Sequence, residues 1–523
     1  MAKQIFARKP LALLLKDAEG ERELRRVLGP VQLTGLGVGM IIGAGIFVVT
    51  GDVARDIAGP SMIVSFVVAA FTCAMAALCY AELAAMAPVA GSAYTYAYAT
   101  LGELLAWIIG WDLILEYAVA AAAVAHGASD YFQNLIGIFK LKLPTVLTDA
   151  PFDYDAKLGS FVPTGKFLAL PALLLTAGVT VVLVRGIRES ARFNTAMVIL
   201  KVAIVIFVII LGAQYVNSAN WYPFAPNGWT GIIIFGKSVL GGMDADKRPL
   251  GMLAGAATIF FAYIGFDSVS THAEEAIKPK RDVPVGIIAS LIICTVLYMA
   301  LGAVFTGMIP RDKIATVAPV ANAFAYHGLT WAQALISFGA VIGITSVMLV
   351  TMLSQARILL AMARDGLLPR KFFGAVHERF RTPWKATILT GIFVALLSSL
   401  LPRRILSDLV NIGTLLAFVI VCSAVLILRR TNPETERPFR VPFVPLVPIA
   451  GILTCLMLMF SLPAENWLRL VIWLLVGFAI YFAYGRKHSI TSLHLSHEIK
   501  EHGVSPAGSL VTHAGIKPDD QPT

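Results

Sequence analysis

The chain has 523 residues, 57% of them hydrophobic and 14% charged, with a mean hydropathy of +0.77 and a formal net charge of +10. Soluble domains carry about a quarter charged residues, so a water-soluble enzyme or binding module is excluded. Apolar runs of about 20 residues recur along most of the length, which describes a polytopic α-helical membrane protein.

Residues 1–30 are polar and basic and lack a short apolar core followed by a small-residue cleavage site, so no cleaved signal peptide is expected. The stretch "IFARKPLALLLKDAEGERELRRVLG" mixes leucines with both charge signs and reads as a helix lying at the cytoplasmic interface. A disordered tail is the plainer alternative. Twelve spans follow, at 31–51, 61–87, 103–126, 167–185, 191–214, 251–275, 284–308, 330–357, 386–402, 405–428, 443–462 and 466–485. With the N-terminus inside, cytoplasmic segments carry 28 Lys and Arg against 13 outside, and the one remaining, Lys201, lies within the membrane. That bias places both termini in the cytoplasm and the chain in the cytoplasmic membrane. The long connections 137–166 and 215–250 then face outward, and "NGWTGIIIFGKSVLGG" in the second reads as a short surface helix. Residues 488–523 form a polar, aperiodic tail. The five cysteines (Cys73, Cys79, Cys294, Cys422, Cys455) fall in apolar segments, odd in number and without metal-ligand spacing. They argue against a disulfide framework or a zinc site, and no cofactor or nucleic-acid module is called for.

The first span contains "GMIIGAGIFVVTG", with Gly43-Ala44-Gly45 near mid-membrane. Glycine inside a helix costs roughly 1 kcal/mol against alanine, and hydrocarbon offers a loosened backbone no water. Inverted-repeat logic predicts a matching break five spans later. The sixth span, "GMLAGAATIFFAYIGFDSVSTHAEE", is interrupted by Gly265, and Asp267 and Ser268 are fit to cap a helix restarting there. Two halves of opposite topology result, 31–214 and 251–428, joined by 215–250, with 443–485 added as two further helices. A broken helix bares amides at one new end and carbonyls at the other, favouring an anion and a cation respectively. A zwitterionic amino acid needs both. Gly43, Ala44 and Gly45 are the candidates to expose amides to its carboxylate, and Phe261, Ala262 and Ile264 to offer carbonyls to its ammonium. The competing reading is close helix packing at small residues, which suits Gly35, Gly37 and Gly39.

On "GMIIGAGIFVVTG", "YAELAAMAPVAGSAYTYAYATLGEL" (80–104), "GWDLILEY" (110–117), "FFAYIGFDSVSTHAEEAIKPKRDVPVGI" (260–287) and "SQARILLAMARDGLLP" (354–369), the chain resembles the amino acid–polyamine–organocation superfamily. Within it the chain is similar to the cationic amino acid transporter family, as a bacterial member with twelve spans where many animal members have fourteen. The resemblance runs from about 31 to 430. It implies the leucine-transporter-like 5+5 inverted repeat and alternating access, and it makes Phe261 a gate over the substrate rather than plain packing.

Lys201 lies ten residues into the fifth span, about 15 Å from its inner end. A charged lysine at that depth costs about 3 kcal/mol or more, and desolvation favours the neutral amine, so Lys201 is the candidate proton carrier. A permanently charged lysine paired with a carboxylate is the alternative. The resemblance suggests that its ammonium reaches the broken first span, with Thr345 and Ser346 lining the position that a sodium ion holds in other members of the fold. Asp112 and Glu116 share one face of the third span. Glu116 is a candidate to bind a cationic side chain, pair with Lys201, carry a proton, or serve as a structural hydrogen-bonding group. Bulky Ile42, Phe261 and Ile264 suit a small substrate. The expected function is proton symport of small neutral amino acids such as alanine, with cationic substrates or exchange as alternatives. A membrane-embedded enzyme would need a catalytic cluster at a membrane face, which the sequence lacks, whereas a sensor or scaffold role stays open. Substrate, proton and membrane lipid are the expected partners, and the sequence does not specify an oligomeric state.

Overall fold

The computed structural model describes residues 28–490 apart from 87–91, 156–159, 187–190, 235–236, 245–247 and 432. The N-terminal interfacial segment and the C-terminal tail, beyond 28–30 and 488–490, lie outside the described residues. The chain is helical throughout its apolar stretches: α1 Pro30–Ile41, α2 Met62–Met86, α3 Glu103–Ile138, α4 Leu170–Arg185, α5 Ala191–Ala213 and α6 Met252–Ile259. These are followed by α7 Pro279–Met308, α8 Thr330–Arg364, α9 Trp384–Leu400, α10 Arg403–Thr431, α11 Leu446–Met459 and α12 Ala464–Ile480. Among the described residues, nine helices, counting continuations, are long and apolar enough to cross a membrane. The shorter apolar helices α4, α9 and α11 fall where the fourth, ninth and eleventh spans are expected.

Burial follows position in the bundle. α3 is enclosed almost completely, packed against α8 and α10, while α2 packs on α7, α4 on α9 and α1 on α7. Peripheral helices keep large apolar side chains exposed, among them Ile199, Ile206 and Ile210 on α5 and Ile292 and Val296 on α7. Such faces are unfavourable in water and suited to hydrocarbon. α12 is fastened to α3 by stacked indoles: Trp111 and Trp473 lie 4.5 Å apart, and each donates its ring N–H to the other's carbonyl, at 2.8 and 3.1 Å.

Both expected breaks are present. α1 stops at Ile42, which turns extended (ψ 100°), and the chain resumes helically from Gly45 in wide turns at Gly45–Val49 and Val53–Ile57. α6 tightens through Phe260–Tyr263, Ile264 turns extended (ψ 133°), and Gly265 adopts φ +118°, a conformation open to glycine. Tight turns then run over Phe266–Glu275. Asp267 is not the cap: Gly265 occupies that position, and Asp267 sits in the first turn, where Oδ2 accepts a hydrogen bond from the Tyr117 hydroxyl at 3.0 Å. The stretch read as a surface helix in 215–250 is a β-hairpin, Ile232–Ile234 against Lys237–Leu240. Three consecutive β-branched isoleucines favour the extended form there.

Two ion clusters tie the bundle at its ends. Arg403 on α10 donates to Asp52, on the continuation of α1, at 3.0 and 3.1 Å and to Asp130 on α3 at 3.0 Å. At the other end Glu82 on α2 is wholly buried, accepts from Arg429 at 2.6 and 3.1 Å and from the Val441 amide at 2.6 Å, and lies 3.4 Å from Arg437. Removing one partner of a buried ion pair costs about 3–5 kcal/mol, because the other charge is stranded. Glu82→Ala is therefore expected to lower the melting temperature of the purified protein by several degrees, and a thermal unfolding curve matching wild type would refute that role.

Candidate functional site

The end of α1 leaves carbonyls without helical partners, and each neighbour that answers them is specific. Val38 O still takes the Ile42 amide in the last regular helical bond, at 2.9 Å, but beyond it Gly39 O takes the Lys201 amine at 2.5 Å and Ile41 O takes the Tyr298 hydroxyl at 2.7 Å. A cation at a helix C-terminus is electrostatically favoured, and Lys201 is 3% exposed, so this contact is made in a desolvated setting. The end of α6 is held in a corresponding way. Asn411 on α10 donates to Ala257 O at 3.0 Å and Thr258 O at 3.3 Å. Gly39 and Ala257 are each the third residue from the end of their helix, and Lys201 and Asn411 come from the fifth and tenth helices.

Between the two breaks lies a cavity of about 30 Å³. Gly43, Ala44, Gly45, Phe261 and Ile264 line it, as expected, joined by Tyr117, Ser268, Val347 and Thr351. The first amides of the resumed helix have no preceding carbonyl to bond, and Gly43, Ala44 and Gly45 at its start line this space. Ile42, Ala262 and Glu116 do not line it. Ile42 is fully buried in the core, and Ala262 is packed against Gly45, where an added Cβ would stand 2.2 Å from its Cα. Packing and exposure thus both account for the glycines: Gly45 meets the other broken helix, while Gly43 faces Val347. Of the glycines assigned to packing, Gly37 and Gly39 are tightly opposed, by Ser290 and Val198, but Gly35 faces open space.

A smaller cavity of about 20 Å³ adjoins Lys201, lined also by Gly39, Met40, His272 and Ser346. Ser346 thus shares the lysine's surroundings. Thr345 does not line this space and bonds Val341 O instead. Glu116 is 2% exposed, and its Oε1 has no hydrogen-bond partner among the described residues. Asp112 is likewise buried, with both carboxylate oxygens unpartnered among the described residues, beside Gly413 of α10. Lys201 bonds backbone rather than either carboxylate.

Residues 28–483 match the family model described as "Amino acid permease". The chain belongs to the amino acid permease family. The chain is 46% identical to the methylthioribose transporter of Bacillus subtilis over 93% of its length and 99% of that protein. It is 45% identical to the branched-chain amino acid permease BcaP of the same organism, over 94% and 99% of the two chains. The vacuolar cationic amino acid transporter 4 of Arabidopsis thaliana is 37% identical over 80% of this chain and 66% of that protein. These matches bear out the resemblance to the amino acid–polyamine–organocation superfamily and the cationic amino acid transporter family, and they indicate a transporter rather than an enzyme.

Several residues of this permease's centre escaped the sequence reading. Asn411 carried the signal that picked out Lys201, a polar residue inside an apolar span, but without a charge to draw attention. Tyr117 directly follows Glu116 in "GWDLILEY", and it is Tyr117 that reaches the cavity.

Proposed function

We propose that this permease is a proton-coupled symporter of small neutral L-amino acids, working by alternating access around the cavity between the broken helices. The reading includes twelve spans, cytoplasmic termini in the cytoplasmic membrane, and a 5+5 inverted repeat with α11 and α12 added. The observation that carries it is the Lys201 ammonium on Gly39 O, 2.5 Å away, because a buried amine at the hinge of a broken helix couples its proton to that hinge. The repeat is supported by pairings that recur five helices apart: α2 with α7, α3 with α8, α4 with α9. The matched clamps of Lys201 on α1 and Asn411 on α6 support it further. The names of the relatives span a thio-sugar, branched-chain and cationic amino acids, so the choice rests on the cavity. Among the described residues its lining carries no charged side chain, and a cationic substrate side chain would need a carboxylate there. The bulk of Phe261 and Ile264 in its lining favours a short side chain, with Phe261 as the cover. The substrate carboxylate meets the amides at Gly43–Gly45, and its ammonium meets the carbonyls around Phe261 and Ile264.

Purified protein in sodium-free liposomes, with an inward proton gradient and labelled alanine or arginine outside, tests the reading. Alanine is expected to accumulate. Accumulation of arginine alone would favour a cationic substrate and make Glu116 the next residue to vary. Uptake that appears only when unlabelled amino acid is loaded inside would make the protein an exchanger.

A further inference from the structure

On the proposed cycle the proton carried by Lys201 must leave toward the cytoplasm. The bonded partner of the amine, Gly39 O, accepts hydrogen bonds but is no base at neutral pH. The cavity of about 20 Å³ beside the amine offers a route. Most of its wall is apolar, with Leu36, Met197, Val198 and Val350. Among the described residues that line it, His272 is the one titratable side chain besides Lys201. A space of that size holds one water, which needs roughly two to four polar partners. The amine, the imidazole and the Ser346 hydroxyl supply them, the last donating to Gly343 O at 3.0 Å and keeping its lone pairs to accept.

His272 stands between this cavity and the end of the bundle. Its Nδ1 lies 3.0 Å from Ser268 O, and a ring that donates there presents Nε2 as the nitrogen that takes a proton. The residue is half-buried, within the tight turns over Phe266–Glu275. Residues three apart share a face in such turns, so Glu275 follows His272 on that face, one turn nearer the end. Glu275 O accepts the Leu28 amide at 2.9 Å beside the start of α1, the cytoplasmic end in the orientation proposed above. The exposed Arg357 of α8 is the charged neighbour of both His272 and Glu275. α1, packed on the same segment, carries no titratable side chain over Pro30–Ile41. We propose that His272 is the exit relay for the Lys201 proton. The ammonium gives a proton to the water as the water gives one to Nε2, so the positive charge passes from amine to imidazole with only N–H and O–H bonds exchanged. The imidazolium then releases its proton past Glu275 to the cytoplasm. The relay rests on the proton-symport reading and supplies the path that a buried amine needs.

Proteoliposomes of the full chain separate two modes of alanine transport. Net uptake on an inward proton gradient requires the proton to leave Lys201 in every cycle. Exchange of labelled for unlabelled alanine at equal pH lets the carrier return loaded, with its proton in place. His272→Asn keeps an amide that can donate to Ser268 O but cannot relay a proton. It is expected to lower the maximal rate of net uptake at least about tenfold, since a positioned proton-transfer group contributes about 10²–10⁴-fold to its step. Exchange, the half-saturation concentration for alanine and the melting temperature stay at the wild-type level. Should His272→Asn fail to fold, His272→Gln carries the same expectation. Net uptake at the wild-type rate, or net uptake and exchange falling together, overturns the relay and leaves the symport reading standing. Wild-type protein that exchanges alanine without accumulating it on the gradient would remove that reading, and the relay with it.

Discussion

Lys201→Met is expected to abolish accumulation of alanine driven by a proton gradient. The side chain keeps its apolar stem, which packs within 3.2 Å of the Cβ position of Gly343, but loses the ammonium that holds Gly39 O. A hydrogen bond to a charged group is worth about 1.5–3 kcal/mol, so the hinge of α1 loses roughly a tenfold to hundredfold bias between its arrangements. On the proposed mechanism the proton carried by that amine is lost as well. A merely structural lysine predicts the same damage in this variant, so Lys201→Arg separates the two. Arginine keeps a permanent charge at the helix end, preserving stability if the role is structural, yet it cannot release a proton. Thermal unfolding near that of wild type together with absent gradient-driven uptake is the expected outcome for Lys201→Arg. A methionine variant that still concentrates alanine on a pH gradient would sink the assignment.

The reasons for what was legible lie in contrast. In a chain that is 57% hydrophobic, a lysine in mid-span or a glycine pair beside bulky aliphatic residues stands out, because each is costly in hydrocarbon. Hence the two breaks, Lys201 as an outlier in its span and five of the residues that line the cavity could be read from the sequence, while the contact of Lys201 with α1 came only from the family resemblance. Facing was not legible. Tyr117, Val347 and Thr351 are ordinary residues for a membrane helix, and only the packing of α3 against α8 turns them toward the cavity. The same holds for the errors of detail. Ile42 carries the extended turn itself and is buried by it, Ala262 fills the space left by Gly45, and Gly265 rather than Asp267 takes the cap because it alone tolerates φ +118°. Asn411 is one uncharged polar residue in a mostly apolar span, and nothing in its type says that it faces the end of α6.

Gly45→Ala should be the most damaging single methyl at the centre of the protein. An ideal Cβ at Gly45 falls 2.2 Å from Ala262 Cα and 2.5 Å from Ala262 Cβ. The obstacle is backbone of the other broken helix, not the end of a flexible side chain. Overpacking in a tight core costs about 1–3 kcal/mol when side chains can adjust, and here the two breaks themselves must separate. Gly43, Gly45 and Phe261 line the cavity beside that contact, so a shift there disturbs the proposed substrate site directly. Uptake by Gly45→Ala in proteoliposomes is expected to fall to the level of empty liposomes, with a lowered melting temperature. Gly35→Ala serves as the control, since a Cβ there meets nothing within 4 Å and gains up to about 1 kcal/mol of helix propensity. It should transport as wild type and melt no lower. Normal kinetics in Gly45→Ala would mean that the two broken helices do not need to touch at this point. The case that their crossing builds the binding site would then fail, whatever becomes of Lys201.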